Sequence, residues 1–162
     1  MNIEVLTADD WRTLRRVRLR ALADSPRAFI SDYDIERSWT ESRWRHSFID
    51  ALWVVTVARR RTVGVARAVG APERPSDERH LESVWVDPRH RRTGVFRTLV
   101  RYLVEREPDV RDWLVWVLDD NASARAVYER LGFEPTGERQ ALPDDSGRIE
   151  ERLRLRHPPR FR

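Results

Sequence analysis

The stretch that decides the fold lies within residues 81–131. It opens with Leu81-Glu82-Ser83-Val84-Trp85-Val86-Asp87-Pro88, a predicted strand ended by proline, and continues through Arg91-Arg92-Thr93-Gly94-Val95-Phe96 into an apolar helical stripe. A strand that feeds a glycine turn at the start of a helix is a phosphate-binding arrangement, because the first helical N–H groups lack partners within the helix and point outward. Farther along, Asn121 predicts the N-cap of another helix, which carries Tyr128 as a proton donor. Together these features suggest a transferase that acts on a phosphate-bearing acyl carrier.

The composition is that of a globular chain without thiol or lysine nucleophiles. Of its 162 residues, 40% are hydrophobic and 36% are charged, so we expect one domain over residues 1–162 with a core of its own. The absence of cysteine and lysine excludes disulfides, thioester intermediates on the protein and Schiff-base chemistry. No apolar run has the length of a membrane span, so we expect a cytoplasmic protein without membrane contact. The histidines show no ligand spacing, so no metal site is predicted.

Periodicity and turn signals divide this domain into three parts. Residues 1–50 hold a first strand and substrate-side helices, residues 51–118 hold most of the sheet and the phosphate loop, and residues 119–162 hold a last helix and two strands. Helices are predicted over residues 10–23, 40–48, 95–107 and 122–131, and strands over residues 3–6, 51–58, 62–69, 80–87, 113–118, 133–138 and 149–155. Residues 29–36 are predicted as a loop.

This order of elements, with the two motifs, resembles the GNAT superfamily of acetyl-CoA-dependent N-acetyltransferases, in particular a bacterial branch whose substrates are mostly unassigned. The Arg/Gln-x-x-Gly-x-Gly/Ala loop of the family maps onto Arg91, Gly94 and Phe96, and its Asn-then-Tyr helix maps onto Asn121 and Tyr128. The resemblance implies an α/β (α+β) fold: a mixed, mostly antiparallel sheet of about seven strands, with helices on both faces and a splayed central strand pair. It also implies transfer of an acetyl group from acetyl-CoA to a primary amine by direct attack in a ternary complex.

The resemblance assigns the carrier to one continuous segment. Backbone N–H groups would face the pyrophosphate from Arg92, Thr93, Gly94, Val95 and Phe96, with charge-assisted contacts from Arg91, Arg92 and Arg97. The strand backbone at Val84, Trp85 and Val86 would pair with the pantetheine amides. Phe96 departs from the family, which has Gly or Ala there. It either crowds the phosphates or turns into the apolar stripe of the helix with Leu99 and Leu103, and we favour the second arrangement.

The catalytic candidates are one acid and two alternative bases. Tyr128 is the expected general acid for the departing thiolate, and the alternative is a core tyrosine on an apolar stripe. Period-two alternation puts His80, Glu82 and Val84 on one face of their strand, so we expect Glu82, with His80 second, to accept the amine proton. The alternative for His80 and Glu82, which the sequence supports equally well, is a pair of solvent-facing polar residues without a catalytic role. Asn121 is a helix cap with or without ligand contact.

The acceptor and the partners are less defined by the sequence. Three carboxylates near an aromatic side chain in residues 29–36 either attract a cationic amine or form a solvated loop. A catalytically silent acyl-CoA-binding or scaffold module is the alternative function. A nucleic-acid binder is disfavoured, because the net charge is only +4 and the arginines alternate with carboxylates. Homodimerisation is common in the family and is left open.

Overall fold

The computed structural model describes residues 1–144 and 146–156. Short 3₁₀ turns at Ala8–Asp10, Pro26–Ala28 and Pro88–His90 connect the regular elements. The helices are α1 (Trp11–Asp24), α2 (Tyr33–Arg37), α3 (Glu41–His46), α4 (Val95–Arg106) and α5 (Ala122–Arg130). The strands are β1 (Asn2–Leu6), β2 (Ala51–Ala58), β3 (Arg61–Val69), β4 (Glu78–Val86), β5 (Asp112–Leu118), β6 (Glu134–Ala141) and β7 (Ile149–Arg156). None of the helices in this described part is long and apolar enough to cross a membrane.

The seven strands form one mixed, mostly antiparallel sheet in the order β1-β2-β3-β4-β5-β7-β6. The β1–β2, β2–β3, β5–β7 and β6–β7 pairs are antiparallel. The β4–β5 pair is parallel, and its register comprises Glu78–His80 against Asp112–Leu114. The fold class predicted from the sequence is therefore confirmed.

Contacts divide the chain into two compact units. The first unit comprises residues 1–69 and 82–106, and the second comprises residues 70–81 together with the described part of residues 107–162. Strand β4 contributes residues to both units. The assignment of residues 1–162 to a single domain stays a prediction.

The core of the first unit lies between α1 and the strands β1–β3. The predicted stripe of α1 is buried at Leu14, Val17 and Ala21, which pack with the fully buried Trp44 of α3. The buried face of α4 consists of Val95, Leu99, Val100, Leu103 and Val104. These apolar faces bring α1 and α4 onto the sheet because burial of apolar surface is the main favourable contribution to folding.

An irregularity in the β2–β3 hairpin fixes the place of α4. The register changes between Thr56 and Val57, so that Val63 is an extra residue in β3, as in a β-bulge. The following residue, Gly64, has no side chain, and a Cβ there would lie 2.9 Å from Val95 Cγ1. Glycine in the middle of this strand therefore permits the close approach of the first turn of α4.

The second unit is built on β5, whose apolar run pairs with β7 along its whole length. Trp113 of β5 and Leu153 of β7 are fully buried. Helix α5 follows β5 after a short turn. The residues after its last turn, Leu131, Gly132 and Phe133, reverse the chain into β6. The apolar run of β5 thus occupies the central position that the sequence predicts for it.

One predicted loop contains a helix. Residues 29–36 were expected to lack regular structure, but α2 begins at Tyr33, and the Asp32 side chain caps it by accepting the N–H of Ile35 at 2.9 Å. Five residues are too few for a 3.6-residue periodicity to be recognised. An Asx cap was the remaining local signal for this helix.

Candidate functional site

Asp87 anchors the junction between β4 and the glycine turn. Its backbone N–H donates to the carbonyl of Val63, the bulge residue, at 2.8 Å. Its buried carboxylate accepts the N–H of Arg89 at 3.0 Å and forms an ion pair with Arg20. Burial alone would raise the pKa of Asp87, but the Arg89 N–H and the charges of Arg20 and Arg61 outweigh it and lower the pKa. The junction is therefore held by an ionised carboxylate.

Asp24 is a second anchor, at the C-terminal end of α1. Its carboxylate accepts the indole N–H of Trp85 at 2.9 Å and forms an ion pair with Arg91. Arg91 also donates from Nε to the carbonyl of Val86 at 3.1 Å. Burial tends to raise the pKa of Asp24, but hydrogen bonds from Trp85, Ser25 and Arg91 lower it further than burial raises it. Arg91, expected as a phosphate contact, thus also ties the loop to α1.

The turn itself uses left-handed backbone at two positions. Arg92 has φ 64° and Gly94 has φ 89°. Glycine tolerates this conformation without steric penalty, which explains its presence where α4 begins. The carbonyl of Gly94 accepts the N–H of Thr98 at 2.9 Å and its hydroxyl at 3.0 Å. The predicted sequence of strand, glycine turn and helix is confirmed over these residues.

Val95 and Phe96, neighbours in the first turn of α4, differ in burial. Val95, and not Phe96, occupies the core position in the first turn of α4, where it is 1% exposed. Phe96 is only half-buried, so its ring is not part of the fully buried stripe with Leu99 and Leu103. The missing side chain of Gly64 leaves room for Val95, which packs closely over it.

The period-two alternation expected for β4 does not extend from Glu82 to Val84. Ser83, which lies between Glu82 and Val84, has φ 55°. A left-handed residue interrupts the pleat, as in a β-bulge, and so the period-two argument for this strand fails at that point. Trp85 and Val86, neighbours in sequence, are both buried, so burial does not alternate at the end of this strand either.

Glu82 lies in the first unit beside an arginine. Its Oε2 accepts from Nε of Arg67 at 3.1 Å, and the two side chains form an ion pair. The Arg67 guanidinium in turn lies 5.1 Å from the ring centroid of Trp53. Arg67 therefore fixes the position of the Glu82 carboxylate. His80 belongs to the second unit, where it is half-buried and pairs in register with Leu114 of β5.

Tyr128 is held by the C-terminal end of α5. The N–H of Phe133 donates to the carbonyl of Tyr128 at 3.1 Å. The N–H of Gly132 donates to the carbonyl of Glu129 at 3.0 Å, and Gly132 has φ 99°. These two bonds define a Schellman motif, and its usual apolar contact is made here by the rings of Tyr128 and Phe133, 5.2 Å apart edge to face. The glycine cap predicted from the sequence is confirmed, and it orients the tyrosine ring.

Burial raises the pKa of Tyr128 well above its usual value. Tyr128 is 5% exposed, and this burial is expected both of a core tyrosine and of a general acid kept protonated. A buried phenol remains protonated at neutral pH, which is the state required of a general acid. At the other end of α5, Asn121 accepts the N–H of Ala124 at 3.2 Å, which confirms its role as a cap.

The carboxylates of the predicted acceptor loop differ in environment. Glu36 is buried and accepts from Nη2 of Arg18 at 2.5 Å, so it is neither a solvated loop residue nor an accessible site for an amine. Asp32 is the α2 cap. Tyr33, Asp34 and Ile35 are exposed. Of the three carboxylates considered, Asp34 is the one presented on an exposed helix face.

The sequence analysis missed Gly64 and Asp24. Gly64 was detectable as a glycine inside an apolar strand, which commonly marks a bulge or a close backbone approach. Asp24 had no local signal, because its partner Arg91 is 67 residues away in sequence. No group of three side chains able to hold a metal ion occurs in the described residues.

An open seven-stranded mixed sheet, with a glycine turn that opens α4 and a capped helix that carries Tyr128, defines an acyltransferase of the GNAT class. Residues 16–133 match the Acetyltransferase (GNAT) family, and the chain belongs to that family.

Curated relatives and solved structures agree with this assignment. The chain is 23% identical over 128 residues to the uncharacterized N-acetyltransferase YafP of Escherichia coli (strain K12), covering 77% of this chain and 75% of that protein. It is 40% identical over 76 residues to the [ribosomal protein bS18]-alanine N-acetyltransferase of the same organism, covering 44% of this chain and 51% of that protein.

Two solved structures show the same fold. The protein smu.2055 from Streptococcus mutans UA159 superposes with a TM-score of 0.78 at 18% identity, covering 96% of this chain and 99% of that one. A ribosomal-protein-alanine N-acetyltransferase from Brucella melitensis superposes with a TM-score of 0.70 at 24% identity, covering 96% of this chain and 99% of that one.

Proposed function

We propose that the protein transfers an acetyl group from acetyl-CoA to a primary amine of a small molecule or peptide, by direct attack in a ternary complex. The observation that carries the proposal is the turn at Arg92–Gly94, whose left-handed residues lead into α4 within a chain of the GNAT family. A helix start is favourable for an anion because its first N–H groups are unpaired and its dipole is positive there.

On the carrier side, the proposal assigns the pyrophosphate to the backbone of residues 92–96 and the pantetheine to that of residues 84–86. Two features support this assignment. Asp24 pairs with Arg91, and Asp87 bonds to Val63 of β3, so both ends of the strand-to-turn junction are tied down before a ligand binds. Preorganised donors bind an anion without a further cost of ordering. Arg97 and Arg92 are exposed and supply positive charge beside these N–H groups.

The proposed reaction forms a C–N bond to the acetyl carbonyl carbon and breaks the C–S bond of the thioester. Glu82, directly or through water, accepts the proton that the amine loses, with His80 as the alternative base. Tyr128 donates the phenolic proton to the departing thiolate. The sequence contains no cysteine, which excludes a cysteine acyl-enzyme and agrees with direct transfer.

On the acceptor side, we propose that the exposed face of α2 attracts a cationic amine. Asp34 provides the negative charge, and Tyr33 and Ile35 provide exposed apolar surface on the same short helix. A peptide with an N-terminal alanine is a reasonable first acceptor to test, given the relative that is named for such a substrate. We further propose that the reaction takes place in the cytoplasm; homodimerisation stays an open prediction.

Calorimetric titration with acetyl-CoA tests the carrier site. We expect micromolar binding by the wild type and none by Gly94→Glu, because glutamate brings a negative charge and a strained backbone to the phosphate turn. Failure of the wild type to bind at millimolar ligand would refute acetyl-CoA as the donor.

An acceptor screen by release of free CoA thiol tests the transfer step. Turnover with an amine, reduced in Tyr128→Phe while acetyl-CoA affinity is retained, is the expected result. Binding without turnover for every amine class would instead favour the acyl-CoA-binding module over the enzyme we propose.

A further inference from the structure

Left-handed backbone is concentrated at arginines in the first unit. Among the described residues, five that are not glycine have positive φ, and three of them are Arg59 (49°), Arg60 (63°) and Arg92 (64°). Residues with a Cβ disfavour this conformation, and such strain tends to persist where it has a function. The side chains that these three positions carry are therefore of interest.

Arg59 and Arg60 form the two-residue turn between β2 and β3. Ala58 pairs with Arg61 across this turn, and both turn residues have positive φ, as a type I′ turn requires. Asn-Gly is the favoured sequence for such a turn. An Arg-Arg pair gives up that advantage and presents two guanidinium groups at the tip of the hairpin.

This tip lies at the edge of the sheet where the phosphate turn begins. The bulge residue Val63 bonds to Asp87. Arg61 Nη2 lies 3.8 Å from Asp87 Oδ2, and Arg20 donates to the carbonyl of Thr62 at 2.7 Å while it pairs with Asp87. The first residues of β3 and the start of the turn are thus fixed to each other.

The arginines at this edge have different electrostatic environments. Arg20 and Arg91 are neutralised by Asp87 and Asp24. Arg59, Arg60, Arg89 and Arg92 are exposed, and their guanidinium groups form no hydrogen bond or ion pair with any residue of the described ranges 1–144 and 146–156. The uncompensated positive charge therefore lies at the hairpin tip and the turn next to it.

We propose that Arg59 and Arg60, with Arg89, form a recognition site for the 3′-phosphate of coenzyme A. The inference rests on the proposed function, in which the adjacent turn binds the pyrophosphate of the same carrier. The adenosine end of coenzyme A carries a second phosphate, a monoester dianion on the ribose. Guanidinium groups match the charge and the planar hydrogen-bonding geometry of a phosphate. An arginine side chain is several ångströms long. Two arginines at the hairpin tip can therefore contact a phosphate on a ligand that extends away from the turn.

The double variant Arg59→Asn/Arg60→Gly tests this site without harming the fold, because it installs the favoured type I′ sequence. We expect its affinity for acetyl-CoA to fall about fivefold to tenfold, as exposed charge pairs are individually weak. Its affinity for acetyl-3′-dephospho-CoA should change by less than about twofold, since the phosphate that the arginines bind is missing. Its thermal stability should equal or exceed that of the wild type.

The matched control Arg106→Gln/Arg130→Gln removes the same amount of charge from two exposed arginines at the C-terminal ends of α4 and α5. Equal losses in both double variants would overturn the proposal in favour of non-specific attraction. An equal loss of affinity for acetyl-CoA and for acetyl-3′-dephospho-CoA in the hairpin variant would also overturn it. If the hairpin variant loses affinity for adenosine 3′,5′-bisphosphate but binds acetyl-CoA as the wild type does, the site belongs to a free nucleotide and the carrier assignment is overturned. A wild type that binds neither carrier would refute the proposed function itself.

Discussion

Replacing Gly64 with alanine tests the contact through which β3 sets the position of the glycine turn at the start of α4. A Cβ at this position would lie 2.9 Å from Val95 Cγ1, 3.1 Å from Leu99 Cδ1 and 3.4 Å from the carbonyl of Trp85. Val95 and Leu99 are 1% and 0% exposed, so neither side chain has solvent to move into. The added methyl group must therefore displace α4 or distort the bulge.

The magnitude follows from two opposing effects. Overpacking a filled core costs about 1–3 kcal/mol, and the lower entropy of the unfolded chain returns roughly 0.4–1 kcal/mol when glycine becomes alanine. We expect a net loss of about 1–2 kcal/mol, which corresponds to a fall in Tm of roughly 2–8 °C for a chain of this size. Acetyl-CoA affinity should fall as well, because the N–H of Val95 is one of the proposed phosphate donors.

Urea unfolding and calorimetry measure these two effects. Gly70→Ala is the matched control: a Cβ there meets Arg79 Nη1 at an ordinary 3.5 Å, and no cost is expected. Val95→Ala removes the clashing methyl groups and leaves a cavity. In combination with Gly64→Ala it should be less destabilising than the sum of the single changes, with a coupling of about 0.5–2 kcal/mol.

Three results would refute this account of Gly64. One is a Gly64→Ala protein as stable as Gly70→Ala. Another is strict additivity with Val95→Ala. The third is lower stability with unchanged acetyl-CoA affinity, which would show that close packing of α4 supports the fold without positioning the turn.

Four further changes test individual side chains. Because the pKa of Asp24 is lowered, the stability that this carboxylate contributes is present above its unfolded pKa of 3.8 and is lost as the pH falls. Asp24→Asn should therefore lose less unfolding free energy below about pH 4 than the wild type. The variant should also bind acetyl-CoA more weakly, because Arg91 is released. Tyr128→Phe should lower kcat by about 10²–10⁴-fold with little change in KM for acetyl-CoA. The raised pKa of Tyr128 also makes the wild type lose stability above its unfolded value of 10.0, and the phenylalanine variant should lose less on urea titration there. Glu82→Gln should lower kcat most at neutral pH, and the deficit should shrink as rising pH deprotonates the amine in solution; a pH-independent ratio would contradict its role as the base. Glu36→Gln leaves a buried arginine charge unpaired and should cost about 3 kcal/mol in unfolding free energy.

The elements next to the site were predictable because their signals are local. Helix α4 was expected over residues 95–107 and spans Val95–Arg106, since Gly94 starts it and Pro108 prevents its continuation. Helix α5 was expected from Asn121 to Gly132, and both caps are formed. Helix α2 escaped prediction because a single exposed turn has no apolar stripe.

The detailed site was less predictable because its contacts join distant parts of the chain. The alternation expected around Glu82 fails at Ser83, whose left-handed φ is not encoded by a glycine. The close packing of Val95 over Gly64 joins the first turn of α4 to β3, about 30 residues earlier in the chain. Glu36 was expected to be accessible and is instead paired with Arg18 of α1, 18 residues away. Such partners become known only when the packing is known.

The pairing of Arg91 with Asp24 changes the interpretation of the first position of the Arg91–Gly94 motif. An arginine already neutralised by a carboxylate contributes little net field to an incoming anion, whereas its bonds to Asp24 and to the carbonyl of Val86 hold the end of β4 against α1. The field at the turn must then come from the helix start and from the unpaired arginines. We therefore expect position 91 to affect carrier binding through the shape of the turn, and the hairpin tip to affect it through charge.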